Sequence, residues 1–194
     1  MVVRNKKDSP TPETGVALDT ELLAHYETLA RDCARIDPQL YRKFNVKRGL
    51  RNEDGSGVLV GLTRVGFVHG YVVSENEIVP VEGQQFFRGI DVQELVYGCQ
   101  KEKRPGFEET AYLLLFGRLP SREELAEWNR VLDAKRALPY PLLEKIIREP
   151  SRDIMNSLAR SVLAAYSDDE TPDAVSIPAV LRQSIELVAR FSAM

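Results

Sequence analysis

The chain has 194 residues, 43% hydrophobic and 28% charged, with a formal net charge of −3. That balance suits one or two ordinary soluble domains, and a slightly acidic chain has no global field to draw it onto nucleic acid or an anionic membrane. The longest strongly apolar run, Ala111 to Phe116, falls far short of the roughly 20 residues that a bilayer span needs.

Residues 1–17 are expected to form a flexible N-terminal arm, because Arg4, Lys6 and Lys7 are mixed with Asp8, Pro10 and Pro12 and lack the apolar core of a secretion signal. Residues 18–90 should hold an N-terminal helix and a small β region. In the helix, Leu22, Tyr26, Leu29, Cys33 and Ile36 recur at steps of four and three until Asp37-Pro38 stops it. From Gly57 the pattern changes to short β-branched and aromatic runs: Val58-Leu59-Val60, Val65 to Val68, Tyr71-Val72-Val73 and Ile78 to Val81. The polar Ser74-Glu75-Asn76-Glu77 reads as a hairpin turn.

From residue 91 to 194 the pattern is helical, so the fold class is mainly α with a small β-hairpin region near the N-terminus. Asp91 with Glu94 opens the first of these helices, and Ser121 with Glu124 forms a capping box ahead of a Leu125, Trp128, Leu132 stripe. Pro139 and Pro141 are read as closing that segment. Ile154, Leu158, Val162 and Ala165 make a further stripe, an acidic linker runs from Asp168 to Asp173, and Ser176 with Pro178 starts the last helix. That helix carries Leu181, Ile185 and Val188 on one side and Val180, Leu187 and Phe191 around it, and the uncapped end at Phe191-Ser192-Ala193-Met194 reads as a truncation.

Several residues invite a functional reading and receive a structural one. Val68-His69-Gly70 lies in an alternating β pattern, and His25 sits at the edge of a helical stripe. Gly55, Gly57 and Gly61 precede a strand where a dinucleotide fingerprint needs a helix. Arg42, Lys43, Lys47, Arg48 and Arg51, with Tyr41 and Phe44, are followed at once by Glu53 and Asp54, so they read as a solvated patch. Asp168, Asp169, Glu170 and Asp173 lack the spacing of a calcium loop and are read as solvent-exposed. Arg88 could orient a carboxylate or pair inside the fold, and the second is preferred. Phe107, Tyr112, Phe116 and Trp128 read as core. Cys33 and Cys99 are too few and too far apart for a disulfide framework or a zinc site, which suits a reducing cytoplasm.

Three segments occur in order: Phe87-Arg88-Gly89-Ile90-Asp91 ahead of a helix, Phe107 to Phe116 ending in Gly117-Arg118-Leu119-Pro120, and the capped Ser121-Arg122-Glu123-Glu124-Leu125. Together they resemble the citrate synthase family. Ser151 to Leu163 fits a family helix that usually opens with His-Pro-Met and here reads Asp153-Ile154-Met155, and with Tyr41 to Arg51 it is most similar to a bacterial branch of citrate or 2-methylcitrate synthases. The resemblance implies that residues 91–194 are the N-terminal part of that family's helical large domain, with Ile185 to Phe191 in an all-helical homodimer interface.

It further implies a cytoplasmic acyltransferase of the tricarboxylic acid cycle that condenses acetyl-CoA with oxaloacetate to give citrate and CoA. The family uses no metal or organic cofactor, acyl-CoA being a substrate. Its two catalytic histidines and its carboxylate lie in motifs without counterparts here, where the only histidines are His25 and His69. No catalytic, cofactor-binding or metal-binding role is therefore assigned to any residue, and the chain alone is expected to be inactive. The alternatives are a 2-methylcitrate synthase using propionyl-CoA, or a non-catalytic helical dimerisation protein.

Overall fold

A computed structural model describes residues 20–44, 46, 61–75 and 77–194. The arm, the Val58-Leu59-Val60 run, Gly55, Gly57, Lys47, Arg48 and Arg51 lie outside the described residues. The fold is mainly helical with a small antiparallel sheet, in agreement with the sequence pattern.

Helix α1 (Thr20–Ala34) ends where the pattern stops. Asp37-Pro38 then does a second thing: the Asp37 carboxylate accepts from the Gln39 N–H at 2.9 Å, and Pro38 occupies the first turn of a short helix α2 (Pro38–Lys43). Strands β1 (Gly66–Ser74) and β2 (Glu77–Phe87) form the expected hairpin, with Ser74 opposite Glu77. The two β1 runs are one strand, and Gly70 alone faces Val81, Glu82 and Gly83 at an irregularity. A short strand β3 (Ile90–Asp91) pairs back onto Phe86 and Phe87. The turn between them uses Arg88 at φ 50° and Gly89 at φ 87°, the left-handed pair that a two-residue hairpin loop demands.

Helix α3 (Val92–Lys101) starts as expected, with Asp91 accepting from the Gln93 N–H at 2.8 Å. Helix α4 (Phe107–Phe116) ends at Gly117, φ 81°. Helix α5 (Arg122–Lys135) has both halves of the Ser121–Glu124 capping box. The reading of Pro139 and Pro141 as closing residues requires correction: Pro139 is the N-cap of a separate helix α6 (Tyr140–Arg148), with Pro141 in its first turn. Proline lacks the N–H that the first turn leaves unbonded anyway, so it starts a helix as readily as it stops one. Helix α7 (Ile154–Ala165) is capped by Asp153, and α8 (Ile177–Arg190) begins with Pro178 in its first turn.

The core is where α1, α4, α5 and α8 meet, and it buries Tyr26, Tyr112, Phe116, Trp128, Leu132, Leu181, Ile185 and Ala189. Tyr26 stacks on Phe116 with ring centroids 4.8 Å apart, and Trp128 stands edge-on to both Tyr26 and Phe116 at 5.5 Å. Each such side chain contributes roughly 1.5–3 kcal/mol on burial. The Trp128 indole N–H donates to the Glu108 carbonyl at 3.0 Å, which satisfies its one polar atom and fixes α5 against the first turn of α4. Phe107 departs from its expected core role and is 58% exposed, because it sits on the side of α4 turned away from this cluster. The α7 stripe holds at Leu158, Val162 and Ala165, which are half-buried, but not at Ile154, which is 76% exposed, and the fully buried position is Ser161, whose hydroxyl donates to the Ser157 carbonyl.

Candidate functional site

Arg88 is the most connected of the singled-out residues. Its Nε and one terminal nitrogen donate to the Leu114 carbonyl at 3.1 and 2.6 Å, and its other terminal nitrogen donates to the Cys33 carbonyl at 3.4 Å. Cys33 Sγ approaches the Leu115 carbonyl at 3.3 Å, and the Gly117 N–H takes the Leu113 carbonyl at 2.8 Å. At the end of α4 the Leu113 carbonyl is thus satisfied by a backbone turn and the Leu114 carbonyl by a guanidinium, while the single Cys33 S–H is shared between the Leu115 and Ala30 carbonyls, both at 3.3 Å. The cation also lies at the negative end of the helix. Arg88 therefore joins the hairpin to α1 and α4, the structural role preferred from sequence.

The other candidates stay apart. His69 lies on β1 with its ring stacked on that of Phe67, centroids 5.9 Å apart. His25 is on the exposed side of α1, 6.0 Å from the Tyr26 ring. Lys43 lies 5.5 Å over the Phe44 ring. Among the described residues, no group of three or more His, Cys, Asp or Glu is arranged to hold a metal ion, and no helix is long and apolar enough to cross a membrane.

In the acidic linker Asp168, Glu170 and Asp173 are exposed as expected, and Asp169 is not. Asp169 keeps only 14% of its side chain exposed, accepts from Arg182 at 2.7 Å and from the Thr171 N–H at 2.9 Å, and these bonds hold its carboxyl below the usual range. Asp173 accepts from the Tyr166 hydroxyl at 2.9 Å. Beside them, a cavity of about 180 Å³ lies between α7 and α8 and is lined by Val162, Tyr166, Asp169, Gln183, Glu186 and Arg190. A larger open groove of about 720 Å³ runs between α3 and α4 over Val96, Cys99, Phe107 and Thr110, with Arg104 at its side. Arg104 is held by Glu102 and Glu109, and burial pushes the Cys99 thiol up, so in this groove Arg104 is not a free cation and Cys99 is not a thiolate. Arg118 is likewise bound to Glu124. These arginines serve carboxylates of their own chain.

The described residues thus form a helical scaffold, and comparison with known proteins says which one. The family model described as citrate synthase, C-terminal domain, matches residues 56–194. The chain belongs to the citrate synthase family. It is 29% identical over 150 residues to the citrate synthase of Deinococcus radiodurans, covering 76% of this chain and 34% of that one. It is 38% identical over 65 residues to a 2-methylcitrate synthase of Shewanella oneidensis, covering 34% of this chain and 16% of that protein. The crystal structure of the citrate synthase from Pyrobaculum aerophilum shares the fold with a TM-score of 0.53 at 23% identity, over 75% of this chain and 37% of that chain. The alignment with the Deinococcus relative thus spans about a third of that protein's length.

Within the citrate synthase family assignment, sequence reasoning had the capping residues and the Arg88 segment. It missed the Arg182–Asp169 pair, whose partners are separated by the start of a helix and carry no motif.

Proposed function

We propose that this chain serves a citrate synthase-type condensing enzyme. A carbanion equivalent at the methyl carbon of acetyl-CoA attacks the oxaloacetate carbonyl, the thioester is hydrolysed, and citrate and CoA leave. The observation that carries the proposal is the family match over residues 56–194. Of the helices that follow the Arg88 turn, α3, α5 and α7 carry side-chain N-caps, and Arg88 itself binds the end of α4, which supports a structural role for this part of the chain. In this reading the chain supplies support and a homodimer surface, acts in the cytoplasm without metal or organic cofactor, and has oxaloacetate and acyl-CoA as the substrates of the enzyme it serves. Cys33 and Cys99 are both free thiols, which agrees with a reducing compartment.

By itself the 194-residue chain is proposed to be inactive. His25 and His69 lie on an exposed helix face and on a strand, and the arginines nearest the core are bound to carboxylates or carbonyls.

A second reading, condensation of propionyl-CoA to 2-methylcitrate, is favoured by the Shewanella relative. One methylene changes pocket selectivity by only about 1–3 kcal/mol, so the two substrates must be compared directly. The test is CoA release from acetyl-CoA and from propionyl-CoA, each with oxaloacetate, by the natural gene product and by this chain. Turnover by the gene product beside an inert 194-residue chain supports the reading. Turnover by the 194-residue chain itself refutes the assignment of its residues to support alone.

A further inference from the structure

The aromatic core takes no residue from α6 or α7: its buried side chains, and the half-buried ones packed on them, come from α1, α4, α5 and α8. The fully buried residue of α6 is Leu142, and that of α7 is Ser161. Other large side chains of these helices are left outside, with Ile147 68% and Leu163 75% exposed. The two helices hold each other. Arg160 on α7 donates to the Glu149 carbonyl at 2.9 Å, at the residue where α6 ends.

Towards α8 the joint is of another kind. Between α7 and α8 lies the cavity of about 180 Å³, with Val162 and Ala165 from one helix and Leu187 and Arg190 from the other. A gap in place of packed side chains forfeits the dispersion contacts that would bind the two helices directly. Polar bonds run instead through the acidic linker. Asp169 accepts from Arg182 at 2.7 Å, and Arg182 also donates to the Thr171 hydroxyl at 3.2 Å. The Gln183 amide donates to the Thr171 and Pro172 carbonyls at 3.1 and 3.3 Å. Both donors stand on α8. Asp169 and Pro172 also line the cavity, so the linker closes one side of it.

We propose that the linker from Asp168 to Asp173 is a strap, and that its bonds to Arg182 and Gln183 keep α6 and α7 closed on the rest of the helices. When the strap lets go, α6 and α7 swing out as one unit and open the cavity. Opening there breaks a few polar bonds and little apolar packing, whereas opening at α5 exposes Trp128 and Leu132 from the aromatic cluster. The strap bonds are partly wet as well, since Arg182 keeps 30% of its side chain exposed, so they are the weaker of the two joints. α6 and α7 therefore open before the core does.

The experiment is native-state hydrogen exchange of the full 194-residue chain, read helix by helix at rising urea below the unfolding transition. It is repeated on three variants, with Trp128 emission verifying that the core of each is folded. Asp169→Asn keeps an acceptor for the Thr171 N–H and loses the charge that Arg182 grips. Gln183→Leu loses both bonds to the strap carbonyls. Leu132→Val weakens the core and leaves the strap alone. In the wild-type chain, α6 and α7 should exchange faster than α5 and share one urea dependence, shallower than that of α5. Each strap variant should speed α6 and α7 about tenfold, while Leu132→Val should speed α5 and leave α6 and α7 unchanged. Exchange of α6 and α7 at the rate and urea slope of α5 means that they open only with the whole chain, and overturns the proposal without any substitution. Strap variants that leave α6 and α7 unchanged overturn it too, as does a Leu132→Val chain in which all three helices speed up together.

Discussion

Arg88 and Leu114 are separated by 26 residues, yet two nitrogens of the Arg88 guanidinium converge on the Leu114 carbonyl. The arginine holds this position from a backbone with φ 50°, a left-handed conformation that costs a residue with a Cβ of order 1 kcal/mol. A glycine would relieve that strain and lose the side chain. The guanidinium's bonds to α4 and α1 offset that strain. Arg88→Ala should therefore lower stability by about 1.5–3 kcal/mol, the range for hydrogen bonds to a charged group. Arg88→Lys should recover only part of it, since an ammonium cannot bond Leu114 and Cys33 with a planar fork. Urea midpoints of the three proteins check this, and equal midpoints would remove Arg88 as the joint between hairpin and helices.

Gly117 closes the same helix end. Its φ of 81° disfavours any other residue, and a Cβ placed there would come within 2.6 Å of Cys33 Cβ on α1. Gly117→Ala should destabilise by more than the ~1–2 kcal/mol of the backbone term, because α1 and α4 must also move apart. Adding Cys33→Gly removes the clash but not the strain. In a double-mutant cycle the second substitution should thus cost less in the Gly117→Ala background than in wild type. Additive costs would place the clash elsewhere.

How much of this was legible in the sequence follows from how local each signal is. Asp91, Ser121 and the Leu125-Trp128-Leu132 stripe act within one helical turn of themselves, and each was found where the pattern put it. Pro38 follows the end of α1 as expected, but the helices that Pro38 and Pro141 begin were missed, because proline ends one helix and begins the next with the same missing N–H. Phe107 shares the spacing of the core aromatics, but only the position of α5 decides which side of α4 is covered. Asp169 read as solvated because Arg182 meets it only after the chain folds back into α8. The candidate site shows the same limit: the Arg88 segment was recognisable, its acceptor on α4 was not.

Trp128 is the sole tryptophan, fully buried, and bonded to the Glu108 carbonyl. Trp128→Phe should leave that carbonyl without its donor and open space beside Tyr26 and Phe116, costing on the order of 2–4 kcal/mol from lost packing and the lost bond. The wild-type protein should emit as a buried indole and shift to the red on unfolding, so one fluorescence titration gives the wild-type midpoint. Circular dichroism gives the variant's midpoint. A wild-type emission already at the solvent-exposed wavelength would contradict the packing of α5 on α4.

Glu124 offers a test by pH. Bonds from Arg118, then from the Ser121 N–H, hold its carboxyl down at about 2. An unfolded glutamate titrates at ~4.3, so the folded state binds this proton more weakly than the unfolded one. Its stabilisation is therefore complete above pH ~4.3 and is lost as the pH falls towards 2. Glu124→Gln keeps an acceptor for the Ser121 N–H but removes the charge that Arg118 grips. The variant should be less stable than wild type at neutral pH, and the gap between their urea midpoints should close through that acid window. A gap of constant size down to pH 2 would mean that the ion pair contributes nothing, and that Glu124 acts only as the neutral half of its capping box.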